Sequence, residues 1–188
     1  MLLGSADNPN KFVEYTDYFC PYCADVQAVT GEQFKKDYID TGKVSFENRI
    51  VTVLAAMSPN TEQGAEAAFC AADQGKYWEF SHHLVPRIKT DFFDKGIGVK
   101  TVANPVPIEK FPVLYFVTSA AAVSMDTAVF ESCVTNQQHK DEIATNTRRA
   151  IELGLTGLPK IVVNDYETSG FMGGYDALKT ILKAGGVQ

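Results

Sequence analysis

The sequence predicts an α/β fold in which a helical block, residues 58–153, is inserted between two strand-bearing segments, residues 1–57 and 154–188. Three observations predict it. An apolar strand runs into a Cys-x-x-Cys at residues 20–23 that opens a helix, the hydrophobic period lengthens to helical spacing after Ser58-Pro59, and strand-like runs return at Lys160-Ile161-Val162-Val163. The 188 residues, 45% of them apolar, suffice for one domain of ordinary size or one carrying a large insertion. No apolar run approaches the roughly 18 residues of a membrane span. The net charge of -6, with no cluster of Lys and Arg, argues against a nucleic-acid surface.

Taken in order, Asp7-Asn8-Pro9-Asn10 is a turn-rich lead-in, and Phe12 to Phe19 reads as a strand ending in a tight bend. Ala24 to Tyr38 reads as a helix, with Val26, Thr30, Phe34 and Tyr38 on one side and Gly31 placed to bend it. After the turn at Thr41-Gly42-Lys43, Val44 to Val51 alternates as a strand. Ser58-Pro59 signals a helix start, with a stripe of Ala65, Ala68, Phe69 and Ala72 closed by Gly75. Lys76 to Val85 is the next helix, which Pro86 is expected to end.

The adjacent His82 and His83 point in different directions and are expected to be surface or packing residues. Gly96-Ile97-Gly98 and Asn104-Pro105-Val106-Pro107 punctuate a loop. Phe111 to Val123 leans toward helix by its length and alanine content, and Asp126 caps a short helix holding Phe130 and Cys133. Gln137 to Leu153 follows, with Ile143, Ala150 and Ile151 inward and Gly154 as its stop. The tail gives a strand at 160–163, a turn at Asn164-Asp165, a second strand around Thr168 to Phe171, and a last helix burying Ala177, Leu178, Ile181 and Leu182.

The chemistry concentrates at Cys20-Pro21-Tyr22-Cys23. Cys20 falls at the N-cap and Pro21 in the first turn, where its missing N–H costs nothing. Unpaired N–H groups and the macrodipole at a helix N-terminus favour a thiolate over a thiol, which makes Cys20 the nucleophile. Two intervening residues let the sulfurs cycle between dithiol and disulfide. A zinc half-site or an inert structural disulfide are the alternatives, but Cys70 and Cys133 stand alone, with no histidine two to five residues away. Glu14, in an apolar strand six positions before Cys20, is a candidate to exchange a proton with Cys23; otherwise it is a solvated edge residue. Arg49 is a possible partner for Glu14 if the two strands are neighbours, and otherwise lies on a wet face.

The order strand, Cys-x-x-Cys helix, strand, helical block, Gly-Leu-Pro, hairpin, helix resembles the DsbA-like branch of the thioredoxin superfamily. The resemblance spans nearly the whole chain and rests on residues 14–23 (EYTDYFCPYC), 71–80 (AADQGKYWEF) and 154–164 (GLTGLPKIVVN). It implies a thioredoxin fold made of residues 1–57 and 154–188, with the helical block packed over the motif. It further implies a cis peptide at Leu158-Pro159, and substrate binding by Leu158, Pro159, Pro21 and Tyr22, with the Leu158 backbone pairing an extended peptide. Leucine at 158 departs from the valine or threonine frequent in the family. A structural disulfide between Cys70 and Cys133 is implied as well, against the alternative of two buried thiols.

The resemblance implies a thiol–disulfide oxidoreductase acting in the oxidising direction on unfolded or reduced exported proteins, without metal or cofactor. A quinone-linked membrane partner of the DsbB or vitamin K epoxide reductase (VKOR) type would reoxidise it. Reductase or isomerase activity is the runner-up, and a peptide-binding chaperone or a metal carrier is the reading from another class. The kappa-class relatives carry serine where Cys20 stands, so the intact pair counts against them. The start Met1-Leu2-Leu3-Gly4-Ser5 lacks the features of a signal peptide, while the even cysteine count fits an oxidising compartment. An extracytoplasmic location is therefore expected, with any signal or anchor outside this chain.

Overall fold

A computed structural model describes residues 1–98 and 106–188, so the turn expected at Asn104-Pro105 lies outside the described residues. Five strands form one sheet: β1 Leu2–Leu3, β2 Lys11–Thr16, β3 Ser45–Ile50, β4 Lys160–Val163 and β5 Tyr166–Ser169. Their order is β1-β3-β2-β4-β5, with β2 and β3 parallel and the other neighbours antiparallel. The alternation of β2 sends Phe12, Glu14 and Thr16 to a fully covered face, while Lys11, Val13 and Tyr15 are half-buried on the other.

Helix α1 spans Pro21–Val29, and a short α2, Glu32–Phe34, continues into a π-helical turn, Lys35–Ile39. The single helix expected to Tyr38 is thus divided. Thr30 turns its hydroxyl back onto the Val26 carbonyl at 3.1 Å, and Gly31 takes an extended conformation, so the break falls where a bend was expected.

Between β3 and β4 lie α3 Thr61–Asp73, α4 Tyr77–Asp91, α5 Val113–Ala122, α6 Thr127–Asn136 and α7 Lys140–Glu152. Asn60 rather than Ser58 precedes α3. Its amide is occupied elsewhere, donating to Glu109 O and accepting from Phe111 N, both at 2.7 Å, which ties the start of α3 to the segment entering α5. Asp126 caps α6 as expected, accepting from Ala128 N and Val129 N at 3.0 Å.

Pro86 does not end α4, which runs five residues beyond it. The proline ring faces solvent, and packing on both sides outweighs the lost backbone bond. Leu84 and Ile88 are fully buried, and Arg87 donates to Tyr115 O and Ser119 Oγ while its guanidinium lies 4.1 Å from the Tyr115 ring centre. Ile151 is also not inward: it is 54% exposed, because it lies about 100° round α7 from the buried stripe of Ile143 and Ala150. The second strand of the tail begins at Tyr166, not Thr168, since the two-residue turn at Asn164-Asp165 sets Tyr166 directly opposite Val163.

The last helix, α8 Tyr175–Ala184, buries Leu178 and Leu182 against the sheet and leaves Ala177 and Ile181 half-exposed. Two cores result. Phe12, Val26, Phe34, Phe46, Ile161 and Leu178 pack between the sheet and its helices, while Phe80, Leu84, Ile88, Phe116 and Phe130 fill the helical block. Tyr18 and Phe19, at the end of β2, belong to the second core, and Trp78 touches both. Gly64 permits this contact: a β-carbon there would meet the Phe19 ring at 2.9 Å. Among the described residues no helix is long and apolar enough to cross a membrane.

Cys70 of α3 and Cys133 of α6 are bonded, with their Cα atoms 5.9 Å apart across 63 positions of chain. A cross-link closing so long a loop stabilises by about 2 to 4 kcal/mol. Replacing both cysteines with alanine is expected to lower the unfolding free energy by about that amount, with a lower urea midpoint. An unchanged midpoint would mean that helix packing alone holds the block together.

Candidate active site

The site is built where β2 ends. After Thr16 the chain turns through Asp17, Tyr18 and Phe19, the Cys20 N–H bonds the Asp17 carbonyl at 3.0 Å, and α1 begins. Cys20 is the N-cap, with Pro21 in the first turn, and the Cys20 Sγ accepts the Cys23 N–H at 3.3 Å. The helix terminus therefore places a backbone donor on this sulfur. Both cysteines are free thiols, nearly covered at 4% and 3% exposure.

Three ionisable side chains share the dry region behind the sulfurs. Glu14 is fully buried in the middle of β2, which excludes the solvated-edge reading. Burial pushes its carboxyl well above the usual range, with the nearby Thr16 hydroxyl offsetting part of the effect and the Cys20 sulfur adding to it. Burial likewise raises the Cys23 thiol well above an ordinary cysteine, reinforced by Cys20 and then by Glu14. The outer and inner sulfurs thus sit in different environments. Burial also pushes Asp17 up to about 7, against hydrogen bonds from Phe19 N–H and the Thr61 hydroxyl and the pull of the Leu54 N–H.

Arg49 does not pair with Glu14. In the parallel register Glu14 lies opposite Asn48 and Tyr15 opposite Arg49, so arginine and glutamate occupy opposite faces. Asn48 reaches Glu14 Oε2 at 3.4 Å, while Arg49 bonds Glu47 at 2.8 Å and the Tyr15 hydroxyl at 2.7 Å. His82 and His83 are half-buried on α4, consistent with packing residues.

The Leu158-Pro159 bond is cis. Tyr15 pairs with Lys160, so Pro159 enters the sheet beside the end of β2 that leads to Cys20. Pro159 is buried, its carbonyl accepting from Gly170 N at 2.8 Å. The Leu158 N–H and C=O bond no other described residue. Tyr22, 42% exposed, and Leu158 line one open cleft of about 680 Å³ with Phe171, Met172, Ala177 and Ile181. The structure therefore brings Cys20, Cys23 and Glu14 together, sets Leu158 and Tyr22 in one neighbouring cleft, and leaves the Cys70–Cys133 bridge within the helical block.

Sequence reasoning missed Asp17, Asn48 and the wall of the cleft. Asp17 carried the same signal as Glu14, a carboxylate within an aromatic run. Asn48 depended on register, and Phe171, Met172, Ala177 and Ile181 come together only once α8 is placed.

A protein-family profile described as Thioredoxin matches residues 1–184. A probable disulfide bond formation protein D of Bacillus anthracis is 28% identical over 166 residues, covering 86% of this chain and 68% of that protein. The oxidised form of BdbD from Bacillus subtilis superposes with a TM-score of 0.75 at 19% identity, over 98% of this chain and 91% of that one. For alpha-DsbA1 of Wolbachia pipientis the TM-score is 0.73 at 18% identity, over 97% and 88%. At such identities these superpositions establish the fold.

The raised Glu14 carboxyl fixes the sign of a pH effect. The native state holds this proton more tightly than the unfolded chain, so the associated stability is complete below the ordinary carboxylate range and is lost as pH rises through the folded value. Glu14→Gln is therefore expected to gain stability relative to the unsubstituted protein as pH rises from about 4 to 8. Parallel urea midpoints for the two proteins across that range would contradict the assignment.

Proposed function

The chain belongs to the thioredoxin family and is a DsbA-like thiol–disulfide oxidoreductase, and from that premise we propose that it introduces disulfides into exported proteins through Cys20 and Cys23. The observation that carries this reading is the covered sulfur pair at the start of α1, with Cys20 as the capping residue and an unpaired Leu158 backbone beside it.

The cycle starts from the Cys20–Cys23 disulfide. A substrate thiolate attacks the Cys20 sulfur, the Cys20–Cys23 bond breaks, and its electron pair leaves on the Cys23 sulfur. Cys23, whose surroundings disfavour the anion, takes up a proton, and Glu14 is the carboxyl placed to supply it. A second substrate thiolate then attacks the substrate sulfur of the mixed disulfide and expels the Cys20 thiolate. Two electrons have moved from substrate to enzyme. The helix terminus stabilises the departing thiolate, so the reduced enzyme is favoured and the chemistry runs toward oxidised substrate.

Leu158 supplies backbone groups that an extended substrate segment can pair with, and Tyr22, Phe171 and Met172 offer apolar surface to its side chains. Unfolded chains are the substrates that present such segments. Turnover requires a partner that removes two electrons, for which a quinone-linked membrane protein of the DsbB or VKOR type is suited. Both the partner and the disulfide-forming role fit an extracytoplasmic location.

The test uses a reduced peptide with two cysteines and the preoxidised protein. Cys20→Ser is expected to abolish peptide oxidation, and Cys23→Ser to accumulate a mixed disulfide at Cys20 when offered an activated disulfide. Oxidation surviving in Cys20→Ser would overturn the proposal, and an unsubstituted protein that binds the peptide without oxidising it would move to the chaperone class.

A further inference from the structure

Asp17 has no role in the cycle above, yet it is 1% exposed and three residues from the attacked sulfur. Its Oδ1 accepts the Phe19 N–H at 2.9 Å within the turn and the Thr61 hydroxyl at 3.4 Å from the first turn of α3. Its backbone carbonyl accepts the Cys20 N–H at 3.0 Å, and its own amide lies against the Cys23 sulfur. The carboxyl's other oxygen, Oδ2, is buried and makes no hydrogen bond among the described residues, the Leu54 N–H being the remaining donor that acts on the carboxyl. One residue thus touches the backbone of the outer cysteine, the sulfur of the inner one and the helical block.

A purely structural link at this point would be served by asparagine or serine, whose buried oxygen carries no charge. A carboxyl with one oxygen unpartnered is costly once ionised. We infer that Asp17 is a positioning residue for disulfide exchange, through which the helical block holds the turn that carries Cys20. This inference rests on the reading of Cys20 as the reacting sulfur.

The geometry gives the tie a dependence on protonation. While the carboxyl is neutral, Oδ1 accepts both bonds at no charge penalty. Ionisation places an uncompensated charge in the dry pocket, which opposes an anion on Cys20 and favours loosening of the turn from α3 so that water can reach Oδ2. Burial raises this carboxyl to about 7, so the change falls within the working range of a thiol enzyme.

The surroundings leave few other candidates for such a titration. The segment 51–57 carries no ionisable side chain, α3 offers Thr61 and the solvent-facing Glu62, α1 contributes the two cysteines, and β2 contributes Glu14. No charged side chain contributes to the shift of Asp17.

The rate of Cys20 alkylation by iodoacetamide, measured against pH in the Glu14→Gln background, separates the possibilities. The parent is expected to show two inflections, that of the thiol itself and a second near pH 7. Asp17→Asn, which keeps an oxygen for Phe19 and Thr61 but cannot ionise, should lose the second and react at least threefold faster above pH 8. Thr61→Val, which removes one donor to the anion and leaves the carboxyl, should move the second inflection to higher pH. Far-ultraviolet circular dichroism confirms that each variant is folded. A second inflection that survives in Asp17→Asn, or one unmoved in Thr61→Val, overturns the inference while leaving the function intact. Failure of Cys20 to react in the parent overturns the function itself.

Discussion

The structure depends on the turn between β2 and α1 meeting three demands at once. It ends the sheet's central strand, it supplies the N-cap of α1, and it inserts Tyr18 and Phe19 into the core of the helical block. Because Cys20 is the capping residue, the reactive sulfur cannot move without the helix, and the helix cannot move without disturbing both cores. Val26 on α1 is fixed in the sheet core, while Ala24 packs with the block. A redox centre held this way gains orientation from the whole fold rather than from a flexible loop.

The same turn concentrates ionisable groups where water is absent. Glu14, Asp17 and Cys23 are all raised by burial, and none has a cationic partner among the described residues. Such an arrangement costs stability as pH rises through the raised folded values, because each group must lose its proton against desolvation. Proteins retain buried groups of this kind where proton movement accompanies chemistry. In the proposed cycle the inner sulfur alternates between a bonded atom and a thiol, and a neighbouring carboxyl whose proton is held more tightly by burial is matched to that alternation. The outer sulfur, with an N–H aimed at it, is the one that leaves in that cycle.

Much of this was legible in the chain itself, and the reasons are specific. Cys20-Pro21-Tyr22-Cys23 between an apolar strand and a helix gave the site, because capping chemistry is local and depends on adjacent residues. The helical block was legible from the change of hydrophobic period, and Gly31 marked the break in the first helix. Pro86 misled because a local rule was overridden by tertiary packing at Leu84, Arg87 and Ile88. Register was the other hidden variable: the face shared by Glu14 and Asn48, and denied to Arg49, follows from a parallel pairing that no residue pattern specifies. Asp17 was hidden for a different reason. Its significance comes from Thr61, 44 positions away, whose hydroxyl meets it only when α3 is docked.

The proposed direction requires the reduced pair to be the more stable one, and the reduction potential of the Cys20–Cys23 couple in a glutathione buffer tests that most directly. A value between about -200 and -120 mV is expected, on the scale where DsbA lies near -120 mV. A value near thioredoxin's, about -270 mV, would contradict it and assign the protein to reduction instead.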